Sequence, residues 1–392
     1  ARSGGRSVGR SVSRSAGQPV SRSAGQPVDD GKSTEIAREF SGMTEPTVRP
    51  TDRPSTLVIQ TAFLGDVVLT TPLLSVLAER YGPVDVVTTP AAASLLEHHP
   101  AVNDVVRYDK HGTARGWRGF RRIGAELRRR HYARVYLPHR SVRSAALALW
   151  TGAEERIGFA DSPAAFTYSK RVHHPREGHE VDRLLRLSGL SPGETAPPVS
   201  LGLAPTDHAA AGAWLASHAI APDFVALAPG SVWATKRWPY YAELAARLDR
   251  TSVIVGSAED VPLADAIVAA AGARAVSAAG ALTLRGSAAL LQRAAVLVTN
   301  DSAPLHLATA VGTPIVAVFG PTVPEFGFGP RRAGDLTLGR NDLPCRPCSK
   351  HGPPACPLGH HRCMRDLSVD AVAAAVAAVA GSEESGALRS RD

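Results

Sequence analysis

The stretch TLVIQTAFLGDVVLTTPLLSVLAERYGPVDVVT, residues 56–88, decides the fold class of this chain. It opens with a short β-branched run, TLVIQ at 56–60, and closes with a second run, VDVVT at 84–88. Apolar residues at helical spacing occupy the segment between them, over residues 67–80. A strand, a helix and another buried strand in this order form one βαβ unit, so the stretch predicts an α/β protein with a parallel sheet.

The same alternation continues toward residue 137 and starts again after residue 223. In the first half we expect further strands at 105–108 and 133–137, and helices at 91–97 and 117–130. In the second half we expect strands at 224–228, 252–255, 296–299 and 315–319, with helices at 240–248, 261–271 and 303–310.

This pattern predicts two doubly wound α/β domains, for which a chain of 392 residues is long enough. A Pro-, Gly- and Ser-rich stretch at 188–205 is typical of a linker between them. We expect the first domain at 55–200, the second at 206–365, a helix at 366–382 that packs across both, and a flexible tail at 383–392. A ligand cleft is then expected where the carboxyl ends of the two sheets face each other.

The net charge of +8 belongs to two segments of the chain. Residues 1–28 contain five arginines and no acid, and residues 107–143 contain twelve basic residues against two acids. The remainder is therefore net negative. A composition that is 44% hydrophobic excludes global disorder, and the longest apolar run, at 371–380, is about half the length of a membrane span.

The basic N-terminal segment is low in complexity, since GRSV and SRSAGQPV each occur twice within residues 5–28. It has almost no large apolar residues, so we expect residues 1–54 to be disordered. We interpret Met43 as the natural start of translation, which places residues 1–42 upstream of the protein. A nucleic-acid-binding arm is the competing interpretation, and the lack of aromatic residues for base stacking disfavours it.

In the first domain, the first strand leads into TAFLGD at 61–66, just before a helix. Gly65 permits a tight turn, and Asp66 falls at the helix N-terminus beside the expected cleft. Asp66 is then either a helix N-cap or a general base for a substrate hydroxyl. The turn carries no G-x-G-x-x-G pattern, which argues against an NAD-dependent enzyme.

In the second domain, three predicted strands end in polar loops. PGSVWATKRWP at 229–239 contains a Lys-Arg pair that suits a diphosphate, or else is a solvated loop. GSAED at 256–260 offers an acid for ribose hydroxyls. NDSAPLH at 300–306 places Pro304 near the start of a helix, whose free N–H groups and dipole suit phosphate. His306 is either a ligand contact or a core histidine.

The four cysteines of the chain lie close together near the end of the second domain. A C-x-x-C pair with two further cysteines is the ligand set of a structural zinc site. The second pair is spaced by six residues rather than two, which favours reduced thiols or a labile disulfide over zinc. The residues concerned are Cys345, Cys348, Cys356 and Cys363.

Taken together, these motifs resemble the ADP-heptose:lipopolysaccharide heptosyltransferases, family 9 of the glycosyltransferases. The resemblance covers about residues 56–380. The Cys-rich stretch 344–363, with CPLGH at 356–360, is most similar to the heptosyltransferase II branch. The other motifs that carry it are GD at 65–66 with TP at 71–72, TKRWP at 235–239, GSAE at 256–259, NDSAPLH at 300–306 with GTP at 312–314, and FGPT at 319–322.

The resemblance implies the GT-B architecture, with the acceptor bound by the first domain and the nucleotide-sugar by the second. It implies an inverting transfer of heptose from ADP-L-glycero-D-manno-heptose to the inner core of lipopolysaccharide, most closely as the second heptose, with no required cofactor. Asp66 then becomes the catalytic base. The residues expected to bind the donor are Ser231, Thr235, Lys236, Glu259, Asp301, Ser302, Ala303 and His306.

The resemblance also accounts for the second basic segment. A lipid A–core acceptor carries phosphates and carboxylates at an anionic membrane face, which attract arginines, although a merely solvated face is the alternative. We expect Gly65, Arg128, Arg140 and Arg143 to contact this acceptor. The protein is then expected to be a cytoplasmic monomer at the inner face of the membrane. Competing functions are transfer of another sugar to a different surface glycan and a non-catalytic glycan-binding module.

Overall fold

The computed structural model describes residues 55–110, 112, 115–191 and 194–389. The segment expected to be disordered, residues 1–54, lies outside these residues, and so does Met43.

Six parallel strands form the first sheet, and the sequence predicts four of them. The strands are β1 Thr56–Ile59, β2 Val84–Thr88, β3 Val102–Arg107, β4 Arg134–Leu137, β5 Glu155–Phe159 and β6 Lys170–Val172. They pair in the order β3-β2-β1-β4-β5-β6. The chain crosses over between β3 and β4, beside β1, which makes the carboxyl end of β1 the place where a ligand crevice opens. Sequence patterns miss β5 and β6 because charged residues interrupt both.

The second sheet repeats this topology. Its strands are β7 Val225–Ala228, β8 Ser252–Ile254, β9 Ala275–Ser277, β10 Val296–Asn300, β11 Ile315–Val318 and β12 Leu336–Leu338. Their order is β12-β11-β10-β7-β8-β9, again fully parallel. Here β9 and β12, of three residues each, escape prediction.

Helices cover both sheets. In the first lobe, defined as β1–β6 and their helices, these are α1 Leu64–Tyr81, α2 Pro90–Leu96, α3 Gly116–Arg128, α4 Val142–Thr151 and α5 Glu180–Leu185. In the second lobe they are α6 Pro205–Ser217, α7 Tyr241–Arg247, α8 Val261–Ala271, α9 Leu284–Leu291, α10 Ala303–Val311, α11 Arg362–Arg365 and α12 Val369–Arg389.

Helix α1 carries a proline in its interior without breaking. Pro72 has no N–H to donate to Val68 O, so this carbonyl loses its helical partner. The hydroxyl of Thr71 donates to Val68 O instead, at 2.8 Å. The same hydroxyl accepts the N–H of Ser200 at 3.1 Å. The Thr-Pro pair therefore keeps α1 continuous and fastens to it the chain that leaves the first lobe.

One apolar cluster runs through both lobes. It contains Val68 and Leu73 of α1 together with Leu305 and Leu307 of α10, and α1 packs against α10. Because the two helices start at the carboxyl ends of β1 and β10, their contact fixes the two loops that precede them near each other.

Hydrogen bonds between residues 179–183 and the chain after β11 add a second connection between the lobes, and two of them run from Arg331 to Asp182, at 3.1 Å each. His179 Nδ1 accepts the N–H of Val181, so its Nε2 carries the proton and donates to Gly329 O at 3.0 Å. The N–H of Glu180 donates to Gly327 O at 2.9 Å, and Arg183 Nη1 donates to Phe326 O at 2.8 Å.

The last helix corrects two expectations. The sequence places it across both domains, but Val372, Val376 and Val379 of α12 are buried against the second sheet, in one cluster with Val316 and Val318. Its apolar face matches β10 and β11 of its own lobe, which is why it does not leave that lobe. The helix also continues to Arg389 rather than ending at residue 382. Across the described residues, no helix is long and apolar enough to cross a membrane.

Candidate active site

The carboxyl ends of the two sheets open on one cleft of about 860 Å³. Residues 63–66, directly after β1, form its wall on the first lobe, and loops after β7, β8 and β10 form the opposite wall. Among the residues predicted from sequence, those that line the cleft are Gly65, Asp66, Ser231, Lys236, Glu259, Asp301, Ser302, Ala303 and His306.

Asp66 is half-buried in the first turn of α1, in the third helical position rather than at the N-cap. Its Oδ2 accepts the N–H of Phe63 at 3.1 Å, which caps the helix. Burial raises the pKa of Asp66 to about 6, the charge of Glu180 adds to this, and the bond from Phe63 opposes it. A carboxylate with this pKa is a usable base near neutral pH, and the same side chain also caps the helix.

Lys236 and Asp301 form an ion pair on the opposite wall. Lys236 Nζ lies 2.6 Å from Asp301 Oδ2, and the two side chains are only 11% and 12% exposed. The hydroxyl of Thr322 donates to the same oxygen at 2.6 Å. The pair therefore presents an oriented ammonium and a carboxylate to the cleft, which suit a phosphate and sugar hydroxyls respectively.

Asn300, at the end of β10, connects two of the loops in this wall. Its Oδ1 accepts the N–H of Trp238 at 3.1 Å, and its Nδ2 donates to Pro229 O at 2.9 Å. Both partners flank the loop that carries Lys236. Sequence patterns give Asn300 no role, because its partners are more than sixty residues away.

Helix α10 points its N-terminus into the cleft, as the sequence predicts. Ser302 is its N-cap, and Ala303 and Pro304 form its first turn and line the cleft. Since Pro304 has no N–H, the backbone donors available to a ligand come from the residues beside it. This end of a nine-residue helix suits a phosphate.

His306 is both buried and part of the cleft wall. It therefore has features of a core histidine and of a ligand contact. The residue is 6% exposed, its Nδ1 has no hydrogen-bond partner among the described residues, and burial lowers its pKa to about 4. The imidazole is therefore neutral at neutral pH, and its Nδ1 is buried away from the cleft surface.

Two glycines make room for an acid next to the expected ribose position. A Cβ on Gly230 would lie 2.3 Å from Asp260 Oδ1, and a Cβ on Gly256 would lie 2.7 Å from Asp260 Cβ. Asp260 uses its carboxylate to accept the N–H and hydroxyl of Ser257, both at 2.9 Å. Glu259 is exposed and lines the cleft, which leaves its carboxylate available to a ligand.

Ser231 and Thr235 differ in placement. Ser231 lines the cleft, and its carbonyl accepts two hydrogen bonds from Arg237, at 3.0 and 2.7 Å. Thr235 does not line it, because its hydroxyl donates to Pro353 O and its own carbonyl pairs with His361 Nε2. Thr235 therefore anchors the Cys-rich segment and does not face the cleft.

That segment contributes two cleft residues that sequence reasoning missed, Lys350 and His351. The ring of His351 lies 6.2 Å from the ring of Phe63, on the first lobe. All four cysteines have free thiols, and within the described residues no group of three or more histidines, cysteines or acids is placed to hold a metal ion.

The predicted acceptor arginines lie at opposite edges of the first sheet. Arg140 follows β4 and pairs with Asp161, and Arg143 lies over the Tyr108 ring at 5.6 Å. Both follow the carboxyl end of β4, next to the end of β1 that carries Asp66. Lys110, another cation at this edge, donates to Thr61 O at 2.8 Å.

Arg128 is the exception. It ends α3, about 18 Å along the axis from the first residue of that helix. Its neighbour Arg130 pairs with Asp85 and Asp104, near the amino ends of β2 and β3. Because α3 runs back along the sheet, Arg128 lies at the edge away from Asp66, which corrects its assignment as an acceptor contact.

Two parallel α/β lobes with one charged cleft at their carboxyl edges define a GT-B glycosyltransferase. A family model described as glycosyltransferase family 9 (heptosyltransferase) matches residues 120–356. Lipopolysaccharide heptosyltransferase 1 of Pseudomonas aeruginosa is 30% identical over 75% of this chain and 86% of its own length. The chain belongs to glycosyltransferase family 9.

Further relatives agree with this assignment. Lipopolysaccharide heptosyltransferase 2 of Escherichia coli K12 is 27% identical over 69% of this chain and 84% of its own length. The solved structure of E. coli ADP-heptose LPS heptosyltransferase II has a TM-score of 0.69, at 23% identity, over 84% of this chain and 99% of its own. Relatives thus come from both branches of the family.

Proposed function

We propose that this glycosyltransferase moves heptose from ADP-heptose to the inner core of lipopolysaccharide, with inversion and with Asp66 as base. The observation that carries the proposal is the position of Asp66 in one wall of a cleft whose other wall holds Lys236 and the N-terminus of α10. A single base facing a single diphosphate site is what a one-step displacement needs.

In this step the acceptor hydroxyl gives its proton to the Asp66 carboxylate while its oxygen forms a bond to the anomeric carbon. The bond from that carbon to the β-phosphate oxygen breaks on the opposite face, and its electron pair leaves with ADP. Lys236 and the free amides at the start of α10 stabilise the charge that develops on the leaving diphosphate.

On the donor side, charge from Lys236 and the α10 N-terminus takes the place that a divalent cation fills in other transferases, so we propose that no metal is required. Asp301, held by Lys236 and Thr322, accepts hydroxyls of the transferred sugar. Glu259, which is exposed in the cleft, accepts ribose hydroxyls. All of these groups come from one chain, and we propose that the enzyme acts as a monomer.

On the acceptor side, cations gather at the carboxyl edge of the first sheet. Burial lowers the pKa of His139, and the charges of Lys110 and Arg140 near it lower this pKa further. His139 Nδ1 is buried and has no hydrogen-bond partner among the described residues. With Arg143 these groups suit the phosphates and carboxylates of a lipid-anchored core at the inner face of the cytoplasmic membrane. Such an acceptor, already carrying one heptose, would make this the second transfer.

The test is incubation of the purified full chain with ADP-heptose and two lipid A–core acceptors, carrying no heptose or one heptose, with products analysed by mass spectrometry. We expect a product one heptose heavier from the second acceptor. Product from the first acceptor alone would assign the first transfer instead. No transfer to either acceptor would overturn the proposed substrate, and transfer that persists in Asp66→Asn would overturn the base.

A further inference from the structure

We infer that the outer face of α3 is a docking surface for an anionic lipid bilayer, formed by Trp117 with Arg118, Arg121 and Arg122. This inference rests on the proposed function only for its purpose, which is to bring a membrane-borne acceptor to the cleft. The exposure of Trp117, the charge of the three arginines and the position of α3 support the surface itself.

Trp117 packs against two aromatic rings although most of it lies in solvent. Its side chain is 64% exposed, yet its ring stacks on Phe120 with centroids 5.5 Å apart and an interplanar angle of 14°. It also meets the edge of Trp150 at 5.7 Å. Trp150 can approach because α3 has Gly124 beneath it, where a Cβ would lie 2.8 Å from Trp150 Cγ. An exposed indole is the side chain that settles at membrane interfaces.

The exposed arginines around Trp117 are not used by the fold. Arg118, Arg121 and Arg122 are exposed and form no ion pair within the part of the chain that the structure describes. By contrast, Arg130 forms ion pairs with Asp85 and Asp104. It also forms an ion pair with Glu126, which is the one acidic residue of α3. The face is therefore purely cationic around an exposed aromatic residue, and this charge complements an anionic bilayer.

The position of α3 relates this face to the reaction. Trp117 and Arg118 belong to its first turn, which begins at the carboxyl edge of the first sheet. Lys110, shortly before that turn, donates to Thr61 O on the segment that leads to Asp66. Contact between this end of α3 and a bilayer would hold the acceptor side of the cleft close to the lipid surface, where a lipid-anchored acceptor resides.

The test is co-sedimentation of the full chain with vesicles of equal parts phosphatidylethanolamine and phosphatidylglycerol, against vesicles of phosphatidylcholine. Each arginine near an anionic surface is worth about a five-fold gain in binding. The triple variant Arg118→Glu, Arg121→Glu, Arg122→Glu should therefore bind the anionic vesicles at least about 100-fold more weakly. The matched control Lys170→Glu, Arg171→Glu, Arg365→Glu alters net charge equally, at exposed positions away from α3, and should bind as the parent does.

A second measurement keeps the inference testable if the triple variant fails to fold. Vesicles with brominated acyl chains should quench tryptophan fluorescence in the parent, and Trp117→Phe should remove most of that quenching while the protein still binds. Equal loss of binding in both triple variants, no preference for anionic vesicles, or unchanged quenching in Trp117→Phe would overturn the inference. Because no donor or acceptor is present, these outcomes are independent of whether the proposed transfer occurs.

Discussion

The imidazole of His306 occupies the space that a side chain at residue 65 would need. A Cβ added to Gly65 would lie 2.5 Å from His306 Cδ2 and 3.2 Å from Nε2. Since Gly65 directly precedes Asp66, a ring from the second lobe packs against the residue next to the proposed base of the first. At Gly65, which is expected to touch the acceptor, the two walls of the cleft therefore come into close contact.

Gly65→Ala should consequently separate these walls. We expect overpacking to cost about 1–3 kcal/mol in unfolding free energy and kcat/KM to fall by about ten-fold or more. In a His306→Ala background the same change should instead raise Tm slightly, because alanine favours a helix over glycine by about 1 kcal/mol. Thermal unfolding of the four proteins checks this. Equal destabilisation in both backgrounds would contradict the contact.

The pH dependence of the reaction should follow the Asp66 carboxyl. Since the base must be ionised and its pKa is raised to about 6, we expect kcat/KM to fall as pH decreases through about 6. Glu180→Gln removes a negative charge that contributes to this shift, so the acidic limb should move to lower pH. The pH–rate profiles of both proteins test this. An unmoved limb would show that Glu180 does not act on the base.

The contribution of Asp66 to folding stability should decrease as pH rises, whereas its contribution to activity should increase. The folded state raises the pKa of Asp66 above its usual value of 3.8, so it binds the proton more tightly than the unfolded chain. This favours folding at low pH, and the advantage is lost as pH rises from about 4 to about 6. Asp66→Asn should therefore raise Tm more at pH 8 than at pH 5 while abolishing transfer. A lower Tm at pH 8 would indicate that the carboxylate stabilises the fold.

Substitutions in the Lys236–Asp301 pair should change ADP affinity and folding stability independently. Lys236→Ala leaves a carboxylate almost buried and unpaired, which should cost about 3 kcal/mol in stability and weaken ADP binding. Adding Asp301→Asn removes the unpaired charge, so Tm should recover while ADP affinity and transfer remain low. Calorimetric titration with ADP and thermal unfolding give the two readouts. Recovery of ADP affinity in the double variant would argue against Lys236 as a diphosphate contact.

Glu259 should act on the ribose alone. Its carboxylate is exposed, so Glu259→Gln should leave Tm unchanged and weaken ADP binding by about ten-fold, the loss typical of a hydrogen bond to a charged group. Binding of 2′-deoxy-ADP and 3′-deoxy-ADP provides the control. The analogue that lacks the hydroxyl bound by Glu259 should bind the parent as weakly as ADP binds the Glu259→Gln variant. The variant should bind this analogue with nearly the same affinity as it binds ADP. Additive losses with both analogues would place Glu259 elsewhere.

Sequence patterns predict those strands whose own residues carry the signal. The runs that become β1, β7 and β10 contain no charged residue, and each is followed by a predicted helix, so the loops after them could be assigned to the cleft. The short strands β6, β9 and β12 and the charged start of β5 carry no such signal. Their pairing depends on neighbouring strands, which a local pattern does not contain.

The candidate site shows the same division. Lys236, Asp301 and Ala303 follow predicted strands and lie where the topology puts them. The contact of Gly65 with His306 and the effect of Glu180 on Asp66 arise from the packing of elements more than a hundred residues apart. Arg128 was misplaced because a run of arginines does not reveal which end of its helix faces the cleft.

The three hydrogen bonds from His179, Glu180 and Arg183 to the other lobe all end on main-chain oxygens, those of residues 326, 327 and 329. A main-chain acceptor is present whatever side chain accompanies it. The exception is Gly327, whose φ of +101° and nearness to Arg183 exclude a side chain. Substitution of the residue 326 side chain should therefore leave these hydrogen bonds in place, whereas loss of the Arg331 side chain would remove its ion pair with Asp182.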